Sequence, residues 1–70
     1  MITLYSKENC VPCRMVKLFL IENDIDFYEK DTGINPIYAE EVRNMGYQSV
    51  PLVVKDGEVI SSGFEPEKLR

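Results

Sequence analysis

The chain holds two cysteines, spaced Cys10-Val11-Pro12-Cys13, at the point where a short strand pattern gives way to a helix pattern. No other feature narrows the possible folds so far. The spacing brings two sulfurs close enough to open and close a disulfide across one helical turn. A dithiol at a helix N-terminus signals redox exchange rather than a structural staple. Two plainer readings stand beside it: a chance pair of cysteines and half of a metal site.

The flanking patterns fit a helix start. Ile2 to Tyr5 is a brief run with β-branched and aromatic members, ending in the polar Ser6-Lys7-Glu8-Asn9, and it reads as a buried strand. Beyond Val11, Met15 and Phe19 together with Val16 and Leu20 recur at helical spacing. Arg14 and Lys17 fall on the polar side, and Leu18 and Ile21 widen the apolar arc. So wide an arc predicts a helix that packs on a sheet and also touches a neighbouring element. Asn23-Asp24, both poor helix residues, should end it.

Ile25 to Lys30 alternates Ile25, Phe27 and Glu29 against Asp26, Tyr28 and Lys30, which predicts a second strand, and Asp31-Thr32-Gly33 is a turn. Asn35-Pro36 predicts a helix start, with Asn35 as the cap and Pro36 where a missing N–H costs nothing. Tyr38, Val42 and Met45 form its inward stripe, and Gly46 is placed as the left-handed terminator. Two apolar runs, Val50 to Lys55 and Glu58 to Ser61, flank Asp56-Gly57, a strong hairpin signal. Ser62-Gly63 breaks the second of them, and Pro66 opens a last short helix reaching Arg70. The order is β-α-β-α-β-β-α. The helix-linked first strands should be parallel and the hairpin antiparallel, giving an α/β domain with a four-stranded mixed sheet flanked by helices.

Composition limits what such a domain can do. Seventy residues, 44% apolar and 29% charged, make one soluble domain, residues 1–70, with a small core. No apolar run approaches the roughly 18 residues that span a bilayer. The N-terminus lacks a basic region followed by a secretory apolar stretch, so a cytoplasmic location is expected, where cysteine pairs tend to be catalytic, redox-sensing or metal-binding. A net charge of -4 with scattered Lys and Arg argues against nucleic-acid binding. The chain has no histidine, which excludes Cys/His zinc sites and histidine catalysis within one chain.

A thiolate, not a thiol, attacks a disulfide. Cys10, where unpaired N–H groups and the positive end of the helix dipole favour negative charge, is the expected nucleophile. Cys13, one turn in, is the expected resolving thiol. Pro12 stiffens the loop between them. Lys7 and Arg14 either stabilise the thiolate or are ordinary solvated cations. Val50-Pro51 is either a strand-opening proline or a cis bond that leaves the Val50 backbone free for an extended substrate. Gly63 permits a conformation or close approach closed to other residues, and Phe64 is either core or a docking contact. Tyr5 has the same two readings, with the core favoured.

Together these segments resemble the thioredoxin superfamily in its small glutaredoxin-like branch. The likeness rests on Tyr5 through Cys13, Ser49-Val50-Pro51 and the closing Ser62-Gly63-Phe64-Glu65-Pro66, and it covers the whole chain. Ser-Gly-Phe-x-Pro, followed here by Leu69, is similar to NrdH-type redoxins. The resemblance implies a thioredoxin/glutaredoxin fold and a dithiol–disulfide oxidoreductase without a bound cofactor. Its electrons would come from thioredoxin reductase and pass to a protein disulfide, that of a ribonucleotide reductase. It implies that Cys10 is the nucleophile, Cys13 the resolving thiol and Pro51 a cis-proline; Lys7, Val11, Pro12, Val50, Pro51, Ser62, Gly63 and Phe64 are the residues expected to touch substrate. Glutaredoxins carry a Gly-Gly-x-Asp-Asp segment that grips glutathione where this chain has Ser62 to Pro66, and the missing acidic pair disfavours glutathione. Pro12 and the lack of tryptophan depart from the usual NrdH pattern. A monomer without metal, nucleic-acid or membrane partners is expected. The alternatives are a glutathione-dependent glutaredoxin, a metal or iron–sulfur carrier assembled through a dimer, and a non-catalytic binding module.

Overall fold

Alternation along the first strand sets the architecture. In the computed structural model, which describes residues 1–69, β1 (Ile2–Ser6) lies inside a four-stranded sheet of order β2-β1-β3-β4. It pairs in parallel with β2 (Phe27–Asp31) and antiparallel with β3 (Leu52–Lys55), which pairs antiparallel with β4 (Glu58–Ser62). Successive side chains of a strand point to opposite faces. Leu4 therefore packs with Val16 and Leu20 of helix α1 (Val11–Glu22), with Val53 and with Leu69. Its neighbour Tyr5 packs with Val42 of helix α2 (Pro36–Asn44), Leu52 and Val54. The two helices thus cover opposite faces. Each fully buried side chain, such as Leu4, Leu20 or Val53, stabilises the fold by about 1.5–3 kcal/mol.

The predicted punctuation is where the chain turns. Asn35 caps α2 by accepting from the Ile37 N–H at 3.0 Å, and Gly46 follows its end with φ at 90°. Asn23 closes α1, its side-chain amide donating to the Phe19 carbonyl at 2.8 Å. Asp56 and Gly57 both take positive φ, the arrangement a two-residue hairpin needs.

Several details differ from the sequence reading. The second strand starts at Phe27 rather than Ile25, because the Ile25 N–H still bonds the Leu20 carbonyl and β1 offers its first partner, Ile2, opposite Phe27. The third starts at Leu52 rather than Val50, since Pro51 has no N–H to give a ladder; its partner strand runs one residue further, to Ser62. The final element is a single 3-10 turn, Pro66–Lys68, too short for an α-helix, and Arg70 lies outside the described residues. The widest departure concerns α1. Only Cys13, Val16 and Leu20 are buried along it, while Met15, Leu18 and Ile21 face solvent because, among the described residues, no second element lies against that side.

Candidate active site

The passage from β1 into α1 carries the cysteines. Cys10 is the N-cap of α1, in an extended conformation, with its carbonyl accepting from the Arg14 N–H at 3.1 Å. Its Sγ accepts from the Cys13 N–H at 3.3 Å, so one orphan donor of the first turn points at sulfur. Cys10 and Cys13 are joined in a disulfide with their Cα atoms 5.2 Å apart. Cys13 is 4% exposed, whereas Cys10 is only partly covered. The two sulfurs are therefore unequal in access before any chemistry begins.

Two further segments close in on Cys10. The Val50–Pro51 peptide bond is cis, and the Val50 carbonyl oxygen lies 4.0 Å from Cys10 Sγ. No backbone hydrogen bond among the described residues outside helices and strands engages Val50. The Pro51 carbonyl accepts from the Gly63 N–H at 2.9 Å, and the Ser61 hydroxyl donates to the Gly63 carbonyl at 3.2 Å. Gly63 has φ at 78°, which a side chain would resist. The loop following β4 is thereby tied to the proline beside the disulfide.

Of the residues singled out from sequence, Cys10, Cys13, Val50, Pro51 and Gly63 are linked in one chain of contacts. Val11 and Pro12 are exposed on the first turn of α1, and Ser62 is exposed at the end of β4. Lys7 is exposed between two clefts, one of about 240 Å³ beside both cysteines and one of about 330 Å³ reaching Arg43, Gln48 and Val50. Arg14 lines the first cleft, and neither Lys7 nor Arg14 forms an ion pair among the described residues. Phe64 is half-buried. It packs edge-on to Phe19 with ring centroids 6.4 Å apart, against the α1-side core.

Sequence reasoning missed Ser6, Glu29 and Glu65. Ser6 is buried at the end of β1, and its hydroxyl donates to Glu29 at 2.9 Å while Lys17 pairs with the other carboxylate oxygen at 2.8 Å. Burial pushes the Glu29 carboxyl up, but the Lys17 and Ser6 hydrogen bonds outweigh it and hold it below the usual range. Ser6 and Glu29 line the cleft beside Cys13. The available signal was the strand alternation itself, which puts the charge of Glu29 on the same side as Phe27. Glu65 folds back so that its carboxylate accepts from the Ser62 N–H at 2.8 Å, with Lys68 3.0 Å away. Those contacts, the Ser62 N–H first, lower its pKa.

Known proteins share this arrangement. Residues 2–60 match the glutaredoxin family. A glutaredoxin-like protein NrdH of Lactococcus lactis subsp. cremoris is 42% identical over 69 residues, covering 99% of this chain and 94% of that protein. The chain belongs to the glutaredoxin family. Its relatives there include further NrdH-type glutaredoxin-like proteins, among them that of Salmonella typhimurium at 29% identity over 97% of this chain and 83% of the other. Among solved structures, the NrdH-redoxin of Escherichia coli superimposes with a TM-score of 0.86 at 30% identity, covering 94% of this chain and 86% of that one. The thioredoxin-like protein BC3987 superimposes with a TM-score of 0.89 at 36% identity over 99% of this chain and 94% of its own. This glutaredoxin-like redoxin is a thiol–disulfide oxidoreductase whose redox-active pair is Cys10-Cys13. Among the described residues no group of three or more His, Cys, Asp or Glu is placed to hold a metal ion, and no helix is long and apolar enough to cross a membrane.

Proposed function

We propose that this protein is a cytoplasmic, monomeric, single-domain electron carrier that takes electrons from thioredoxin reductase and passes them to a protein disulfide, that of a ribonucleotide reductase. The Cys10 thiolate attacks one sulfur of the target disulfide, and the other target sulfur leaves as a thiolate that takes up a proton. Cys13 then loses its proton and attacks the Cys10 sulfur of the mixed disulfide. The second target thiol is released as the Cys10–Cys13 bond closes. Two electrons have moved to the target, and the upstream reductase restores both thiols.

Each residue near the sulfurs has a role in this scheme. The helix N-terminus and the Cys13 N–H favour a negative Cys10 sulfur. The low exposure of Cys13 keeps it for the second step. The backbone of Val50 pairs with an extended segment of the target, and Pro51 and Gly63 hold that wall in place. Lys7, Val11, Pro12 and Ser62 border the path by which the target approaches. Phe64, half-buried and packed edge-on to Phe19, borders the same path with its uncovered part.

The observation that carries the choice of reductant is the fold-back of Glu65. Where the resemblance places an acidic pair in glutathione-binding glutaredoxins, this chain has the single carboxylate of Glu65, already engaged by the Ser62 N–H and Lys68, and Pro66 has no N–H to offer. The test supplies oxidised protein and NADPH with thioredoxin reductase in one arm, and with glutathione and glutathione reductase in the other. Turnover in the first arm is expected to exceed the second by at least about tenfold. Efficient turnover with glutathione alone would overturn the assignment.

A further inference from the structure

Helix α1 is apolar on both sides. Its inward side buries Val16 and Leu20 against the sheet. Its outward side carries Val11, Met15 and Leu18, exposed to 58%, 43% and 52%, with Ile21 beside them. At i, i+4 and i+7 these three side chains fall on one line along the helix. An apolar line on the outer surface of so small a chain is not explained by its own core, and contiguous patches of this kind mark interaction sites.

We propose that the Val11–Met15–Leu18 face of α1 is the docking surface for the protein partners that exchange disulfides with Cys10. The argument is continuity with the reacting sulfur. Val11 lies inside the C-x-x-C loop, so a partner whose sulfur reaches Cys10 already covers Val11. From there the line extends for about 10 Å of helix at 1.5 Å per residue. A protein surface reaches that far, and a small disulfide does not. Arg14 is exposed on the same helix, next to the line, with no ion pair among the described residues. The fitting partner has apolar side chains around its disulfide and a carboxylate facing Arg14. A second copy of this chain fits badly, because a dimer over this face would cover Val11 beside Cys10 and shut off the chemistry.

This inference rests on the dithiol exchange described above, and its test separates the surface from the named electron donor. The double variant Met15→Ser/Leu18→Ser changes exposed positions only and is compared with the unaltered protein in three assays. As a substrate of thioredoxin reductase, the variant should show a KM raised at least about tenfold with kcat unchanged. Reduction of insulin at limiting insulin should slow by the same factor. Reduction of hydroxyethyl disulfide by the pre-reduced variant should stay within about twofold. An unchanged KM and insulin rate overturns the proposal, and so does an equal fall in all three assays. A dimer of the unaltered protein in sedimentation, dissociated by the variant, also overturns it in favour of self-association. If thioredoxin reductase does not reduce even the unaltered protein, the donor assignment fails alone, and the insulin comparison decides the surface.

Discussion

Cys10 and Cys13 differ in exposure and in backbone environment, and that difference is what makes a symmetric pair of thiols act in order. Cys10 caps a helix and receives an N–H; Cys13 is buried one turn along. In the reduced protein Cys10 should therefore titrate below the value of about 8.5 for a free cysteine. The pH dependence of iodoacetamide alkylation, read by mass spectrometry, should show Cys10 reacting first with a midpoint below that value. Equal alkylation of the two sulfurs would remove the basis for their separate roles. Both cysteines were legible in the sequence because their spacing alone places them on a helical turn. Glu29 was not, because nothing local says that a strand carboxylate will find Lys17 from the helix and Ser6 from the next strand. Glu65 was hidden for a similar reason: its hydrogen bond to Ser62 depends on the loop conformation that Gly63 allows.

At the scale of elements, the strand alternation and the turn residues were sufficient to order the sheet, since Leu4 and Tyr5 on β1 already separate the two faces. Strand ends were harder to read. They depend on where a partner strand begins, as with Ile2 opposite Phe27, and on the missing N–H of Pro51. The outer face of α1 was misread because periodicity reports which residues are apolar, not whether anything lies against them. A paired substitution checks the corrected picture. Leu20→Ala removes a side chain with no solvent exposure and should cost about 2–5 kcal/mol, whereas Leu18→Ala, half exposed, should stay within about 0.5 kcal/mol. Urea unfolding of the two variants measures both, and similar losses would mean that the outer face is packed after all.

The whole molecule is acidic yet spends several carboxylates on internal contacts. Burial works against Glu29, but its Lys17 and Ser6 contacts leave its pKa lowered; the Tyr5 hydroxyl and then Lys30 lower that of Glu41. A carboxyl whose folded pKa is depressed stabilises the fold above its unfolded pKa and loses that contribution as pH falls through the folded value. Stability should thus be level near neutrality and decline as pH drops below about 4.5, the unperturbed carboxyl value. Both ion pairs are partly exposed, so the slope should be modest and shallower in high salt. Glu29→Gln should flatten it further, as read from urea midpoints across that range. The exchange step itself belongs to the junction of β1 and α1. The most direct measurement of that step incubates reduced Cys13→Ser and Cys10→Ser variants with a protein disulfide, then determines intact masses without reductant. Cys13→Ser should accumulate a mixed disulfide through Cys10, because nothing remains to resolve it, and Cys10→Ser should accumulate almost none. A stable adduct through Cys13 in the Cys10→Ser variant, with none through Cys10, would contradict the account.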